Sequence, residues 1–258
     1  MDIGIVLGTK NRAEHLDRML TSLFKAVRDV TFEIIVIDGD SQDNTRSVLE
    51  KYKIEKVFRE SECMAPGNHE SIYPGCHSWG EIYNFGVKQT DADWIMYCSD
   101  DIVFNEDCFT NAMKALRGQS DLIVGGMFYY RTFPSDTQFD KYGIDYTYGH
   151  ILMPNYGLVR RSTFWEVGGL DETYVFYCAD GDLAFKLREL GKVFFPLPEC
   201  LVTHYKGMDW SATFHMSQSN NDIAKYKAKW IKYTEKGGLD PRRLWLEEGM
   251  SHENPKRD

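Results

Sequence analysis

Short apolar runs alternate with stretches of helical spacing through the first half of the chain. Ile3-Gly4-Ile5-Val6-Leu7-Gly8 reads as a buried strand, as do Phe32 to Ile37, Glu55 to Arg59, Trp94 to Cys98 and Leu122 to Gly125. Between them, Leu16, Met19, Leu20, Leu23, Phe24 and Val27 recur at helical spacing and predict a helix over 12–28. Ser41 is placed to cap a helix from Gln42 to Tyr52, with Asp43 favourable in its first turn. Further helices are predicted over 79–88 and 106–117, while 60–77, which mixes Pro, Gly, Cys and His without periodicity, reads as loop. The second half is less regular. Residues 127–150 read as loop with short strands, and 155–160 as a strand. Leu183, Leu187 and Leu190 mark a helix from Asp180 that stops at Gly191. Val193-Phe194-Phe195 and Leu201-Val202-Thr203 read as two strands, and 221–236 as a helix closed by Gly237-Gly238.

This alternation predicts an α/β fold, with a mostly parallel central sheet covered by helices on both faces. Ligands of such sheets bind in the crevice at the carboxyl ends of the strands. Thr9, Asp38, Asp100 and Asp101 all fall at predicted strand ends, so they should gather along one edge.

Composition adjusts this picture in a few places. The net charge of −9 over 258 residues argues against a nucleic-acid partner, which would need a basic footprint. The six cysteines show no paired spacing, which fits a reducing cytoplasm and speaks against a disulfide framework or zinc site. No apolar run approaches the ~20 residues of a membrane span, which leaves peripheral membrane contact open. The aromatic share of 14% is high, and Tyr156, Trp165, Tyr177 and Trp210 are candidates either for sugar stacking or for core packing.

Asp100 and Asp101 raise a chemical question. They end a buried strand, where two like charges repel and lose hydration. Oxygen-rich sites suit hard cations such as Mg²⁺ or Mn²⁺. Without a cation, a diphosphate near Asp101 would be repelled by roughly 4 kcal/mol per unit pair at ~4 Å and an effective dielectric near 20. The expectation is a pair whose cost is relieved only on binding, hence a loose empty site. The alternative is a solvated turn.

Several segments carry a resemblance. Ile35-Val36-Ile37-Asp38-Gly39-Asp40-Ser41-Gln42-Asp43-Asn44-Thr45 resembles the V-D-x-x-S-x-D-x-T segment of family 2 glycosyltransferases, and Thr9-Lys10-Asn11-Arg12 resembles their first strand end. Gly80 to Gly86 resembles their helix with Asn-x-Gly. Ser99-Asp100-Asp101 stands where their D-x-D motif stands. Gly168-Gly169-Leu170-Asp171-Glu172 and Ala179-Asp180-Gly181-Asp182-Leu183 resemble their G-G-[FL]-D-E and E-D-x-D-L stretches. The segments run in family order from residue 3 to about 206. Ser99, Ala179 and Tyr83 depart from it, standing where an acid, a Glu and an Arg are usual.

The resemblance implies a GT-A fold, one domain over 1–236 with a nucleotide-sugar half (1–104) and an acceptor half (105–236), and a C-terminal extension over 237–258. It implies inverting transfer from a nucleotide sugar, with a lean to UDP, to a hydroxyl of a glycan or polysaccharide precursor. Asp38, Thr9, Arg12 and Asp100 would bind the nucleotide. Asp101 and His204 would hold Mn²⁺ or Mg²⁺. Asp180 would be the base, Asp182 a structural partner of Lys186 or Arg188, and Lys206 a diphosphate contact. The competing readings are a nucleotidyltransferase, disfavoured by the single Gly of Gly8-Thr9-Lys10-Asn11-Arg12, and a non-catalytic nucleotide- or carbohydrate-binding relative. A dehydrogenase is disfavoured by the lack of G-x-G-x-x-G after the first strand.

Overall fold

The computed structural model describes residues 1–64, 77–133, 141–147, 151–205, 212–233 and 242–245. In chain order the elements are β1 Ile3–Thr9, α1 Ala13–Ala26, β2 Phe32–Asp38, α2 Thr45–Lys51, β3 Lys56–Arg59, α3 Glu60–Cys63, α4 Trp79–Lys88, β4 Trp94–Ser99, β5 Ile102–Phe104 and α5 Cys108–Leu116. They continue with β6 Ile123–Phe133, β7 Gly143–Thr147, β8 Ile151–Leu152, β9 Gly157–Arg160, α6 Arg161–Glu166, α7 Ala179–Glu189, β10 Val193–Tyr205, α8 Ala212–Lys229 and β11 Arg242–Trp245. The four strands β3-β2-β1-β4 are parallel, and antiparallel β9 joins β4 to β6 and the second half.

Two cores cover the faces of this α/β sheet. Leu16, Met19, Leu20 and Leu23 of α1 and Phe109 and Met113 of α5 pack on Ile5, Leu7, Val36 and Met96. Tyr83 and Val87 of α4, Leu183 and Leu187 of α7, and Tyr226 of α8 pack on Val6, Ile35, Ile95 and Tyr97. Neighbouring residues of β1, β2 and β4 thus point into opposite cores, as they must in a sheet buried on both sides.

Register sets the edge. Thr9 pairs with Asp38, Gly8 with Ser99 and Leu7 with Cys98, so β1, β2 and β4 end in one line. α4 can approach this sheet because Gly86 has no side chain: a Cβ there would lie 2.2 Å from Val6 Cγ1 and 2.8 Å from Ile37 Cδ1.

Several sequence expectations are corrected. Instead of a strand ending at Gly125 followed by loop, β6 runs eleven residues to Phe133. Its tyrosines and Thr132 are held by β10, which pairs with it in parallel. The two strands expected over 193–203 are one, β10. It carries an irregularity between Leu197 and Leu201, where Pro198 cannot donate to the ladder. The helix expected from Gln42 begins at Thr45 without a side-chain cap. Asp43 Oδ1 accepts from the backbone N–H of Thr45 (3.0 Å), and Ser41 Oγ accepts instead from Asn11 N–H (2.9 Å). The 60–77 loop opens with the single turn α3. α8 starts nine residues before Asn221 and breaks at Trp230. Most of 237–258 lies outside the described residues, and 242–245 form β11 against β7. No helix among the described residues is long and apolar enough to cross a membrane.

Candidate active site

Thr9, Arg12, Asp100, Asp101 and His204 meet at the carboxyl edge of the sheet. Thr9 Oγ1 donates to Asp100 Oδ2 (2.6 Å). Arg12, just before α1, reaches both carboxylates: NH1 lies 2.9 Å from Asp100 Oδ1 and NH2 3.1 Å from Asp101 Oδ2. Ser99 Oγ donates to Asp101 Oδ1. β5 pairs antiparallel with β10 so that His204 lies opposite Ile102, which brings His204 Nε2 to 3.5 Å from Asp101 Oδ2. Tyr205 N–H donates to the Asp101 carbonyl (2.7 Å) and fixes this junction. Asp38 is buried one strand over, and its Oδ1 accepts from Ser41 N–H (3.0 Å).

The two carboxylates are electrostatically unequal. Burial pushes Asp100 up to about 6, against the pull of Arg12 and Thr9. Burial also acts upward on Asp101, but the hydrogen bond and charge of His204, the Ser99 hydroxyl and Arg12 outweigh it and hold Asp101 well below the carboxylate range. Paired charges of this kind split into one strong and one weak acid. The expectation that the cost of the pair is relieved only on binding is corrected, because Arg12 already compensates both carboxylates. The departures from the family pattern also acquire partners. Ser99 orients Asp101, and Tyr83 donates its hydroxyl to the Cys98 carbonyl (2.7 Å) just behind Ser99. Ala179 is fully packed in the second core.

Asp180 stands apart from this cluster, in the first turn of α7. Its Oδ1 accepts from Gly181 N–H (2.8 Å). Burial raises its pKa, the Gly181 contact opposes this, and the negative charge of Asp145 adds to the rise. Asp145 on β7 was missed in the sequence, and Tyr156 was singled out there only for sugar stacking or core packing. Tyr130 donates to Asp145, and the Tyr156 ring packs 4.7 Å from Tyr130 and 6.4 Å from His204. Burial, then the Tyr130, Asp101 and Asp145 charges, raise the pKa of the Tyr156 hydroxyl. Asp145 lies in the stretch read as loop with short strands, which gave no periodic signal.

The remaining motifs make contacts within the fold. Asn84 of α4 grips the Gly168–Glu172 turn: Oδ1 accepts from Leu170 N–H (3.0 Å), and Nδ2 donates to the Leu170 carbonyl and Glu172 Oε1 (both 2.9 Å). Gly169 has φ 71°, and a Cβ there would meet Asn84 Oδ1 at 2.6 Å. Asp182 is buried and lies 3.1 Å from Lys186 Nζ, as the sequence suggested, and it also accepts from Trp230 Nε1 (2.8 Å). Trp165 packs against the second core, Tyr156 against the first, and Tyr177 is exposed. Lys206 and Trp210 lie outside the described residues.

The glycosyl transferase family 2 profile matches residues 4–182, and the chain belongs to that family. The uncharacterized glycosyltransferase YfnE of Bacillus subtilis is 24% identical over 138 residues, covering 52% of this chain and 31% of that one. Dolichol-phosphate mannosyltransferase of Pyrococcus furiosus is 20% identical over 132 residues, covering 50% and 34%. The chain thus spans about a third of the length of these two relatives. N-acetylglucosaminyl-diphospho-decaprenol L-rhamnosyltransferase of Mycobacterium tuberculosis is 21% identical over 233 residues, covering 78% and 75%. Among solved structures, S. aureus TarS 1-349 in complex with UDP superposes with a TM-score of 0.63 at 15% identity, covering 93% of this chain and 67% of that one. The mannosyltransferase PcManGT of Pyrobaculum calidifontis, in complex with GDP-Man and Mn2+, gives 0.60 at 13% identity, covering 89% and 64%. The fold is the GT-A fold that the sequence motifs implied.

Proposed function

We infer that the chain transfers a sugar, with inversion, from a nucleotide-sugar donor (a UDP-sugar) to a hydroxyl of a glycan or polysaccharide precursor. The observation that carries this reading is the contact cluster of Thr9, Arg12, Asp100, Asp101 and His204 at the carboxyl edge. UDP in the TarS structure and GDP-Man in the PcManGT structure support a nucleotide-diphosphate donor.

Among the described residues no three His, Cys, Asp or Glu side chains stand close enough to hold a metal ion by themselves. Two do fit one. Asp101 Oδ2 and His204 Nε2 are 3.5 Å apart, close to the roughly 3 Å separating two donors that each sit about 2.1 Å from one ion. Mg²⁺ and Mn²⁺ commonly take one or two protein ligands and complete their shell with substrate phosphates. When bound, such an ion supplies positive charge to the departing diphosphate.

The chain's own residues do the rest. Asp38 accepts from the nucleotide base, and Thr9 and Asp100 line the ribose. Arg12 lines the same nucleotide pocket beside Asp100 and Asp101. Asp180, raised by burial, accepts the proton of the acceptor hydroxyl as its oxygen attacks the anomeric carbon from the face opposite the leaving group.

The test is a thermal-shift series with UDP, GDP, dTDP and CMP, each with and without Mn²⁺. A ligand at 100 times its Kd adds about 2.7 kcal/mol, or about 5–10 °C in Tm for a chain of this size. One nucleoside diphosphate should shift Tm only with metal, and Asp101→Asn should lose that increment. No shift for any nucleotide would sink the reading.

A further inference from the structure

α8 lies beyond the family match, which ends at residue 182. On it, Asp222 is buried, with 2% of its surface exposed. Its carboxylate accepts three consecutive backbone amides from another part of the chain: Val175 N–H to Oδ1 (3.1 Å), and Phe176 N–H (2.9 Å) and Tyr177 N–H (3.0 Å) to Oδ2. A buried carboxylate is costly unless its oxygens are satisfied, and charge-assisted bonds to amides are the strong way to do so.

The place of these three amides in the chain matters. Cys178 follows in a left-handed conformation (φ 72°) and starts α7. Its carbonyl accepts from Asp182 N–H (2.8 Å), and Asp180 lies between the two. The grip on 175–177 thus ends three residues before Asp180 and fixes where the first turn of α7 begins. The same helix is fastened twice more. Trp230 donates to Asp182, and Lys229 Nζ lies 2.7 Å from Asp182 Oδ1 and 2.8 Å from Asp171 Oδ2, in the turn held by Asn84. On the other side, the Val175 carbonyl accepts from Trp79 N–H (2.9 Å) at the start of α4. The segment ahead of Asp180 is therefore stretched between α4 and α8.

We propose that Asp222 is a positioning residue for the transfer reaction: through the three amides of 175–177 it holds Asp180 at the reacting hydroxyl, which makes α8 part of the catalytic unit. This rests on the assignment of Asp180 as the base. Asp222 makes none of the contacts of the Thr9–Arg12–Asp100–Asp101–His204 cluster, so its loss should separate turnover from nucleotide binding.

The experiment compares wild type, Asp222→Asn, Asp222→Glu and Asp180→Asn. Each is assayed for metal-dependent nucleotide binding by melting, and for release of nucleoside diphosphate from a panel of UDP- and GDP-sugars with acceptor glycans. Amide exchange of 175–182 is followed in parallel. Asn keeps one acceptor oxygen and replaces the other with an NH2, which faces at least the Val175 N–H and leaves that donor without its acceptor. Turnover by Asp222→Asn should fall about 100-fold, as a misplacement near 1 Å does, while nucleotide affinity stays within about twofold. Exchange should quicken at 175–177 and also in the first turn of α7. Asp222→Glu, which keeps the charge, should recover part of the rate. It stands in for Asn if the Asn variant does not fold.

Turnover equal to wild type in the folded variant overturns the proposal. So does an equal loss of turnover and nucleotide binding, which would mark a general structural role. Undiminished turnover in Asp180→Asn would instead refute the base assignment. Loss in Asp180→Asn with none in Asp222→Asn refutes the positioning role alone.

Discussion

Arg12→Gln removes the guanidinium that, among the described residues, contacts both Asp100 and Asp101. Removing one partner of a buried ion pair typically costs about 3–5 kcal/mol, because a charge is left behind uncompensated. Here 22% of the Arg12 side chain reaches solvent, and Thr9, Ser99 and His204 still touch the carboxylates. Both facts lower the figure to about 2–3 kcal/mol. For a chain of this length each kcal/mol moves Tm by about 2–4 °C, so the variant should melt about 4–12 °C below wild type in EDTA. The cause can be isolated by a double-variant cycle. Asp100→Asn removes one of the charges Arg12 compensates, so Arg12→Gln should cost less in that background, by about 1 kcal/mol or more. The assay is melting at neutral pH and low salt, with nucleotide absent. An Arg12→Gln variant that melts with wild type, or two substitutions whose effects simply add, would refute the claim that Arg12 is the built-in counter-ion of the pair.

Two further outcomes are expected. Asp171 is driven down to about 2; burial opposes this, and Lys229 and Thr173 outweigh it. A carboxylate lowered on folding stabilises above its unfolded value near 4 and loses that contribution as pH falls towards 2. Lys229→Met should therefore flatten the acid limb of a stability–pH curve between about 4 and 2, and an unchanged limb would exclude the pair. Gly86→Ala gains helix propensity but drives a methyl to 2.2 Å from Val6 Cγ1, so it should lose about 1–3 kcal/mol net by denaturant unfolding; a neutral or stabilised variant would show that α4 sits less tightly than described.

Much of the first half was legible because strands buried on both faces read as unbroken apolar runs, and β1, β2 and β4 do so. Their ends carried Thr9, Asp38, Asp100 and Asp101 to one edge by register alone. β6 was hidden because its tyrosines, Arg131 and Thr132 break the apolar run, and β10 because prolines interrupt it. The Arg12–Asp101 contact spans 89 positions, and no local pattern announces an ion pair at that separation. Asp222 was invisible for a similar reason. In sequence it is one polar residue of a charged helix, and only the fold shows three amides arriving at it from 175–177. Asp145 lay in a stretch read as loop, where alternation was too short to assign a face.

Asn84 belongs to the half that would bind nucleotide, while the turn it grips belongs to the half that would bind acceptor. Alongside the β4–β9 and β5–β10 pairings and the Trp79–Val175 bond, this amide keys the two halves to each other against a left-handed backbone at residue 169, where a Cβ would meet Asn84 Oδ1 at 2.6 Å. A chimera that grafts the second half of a relative onto this chain therefore inherits a fitting problem at a point remote from the junction. The graft should assemble only if the incoming turn presents the same N–H and carbonyl to Asn84. Swaps that carry helix α4 and the 168–172 turn together should tolerate far more sequence change elsewhere than swaps that divide them.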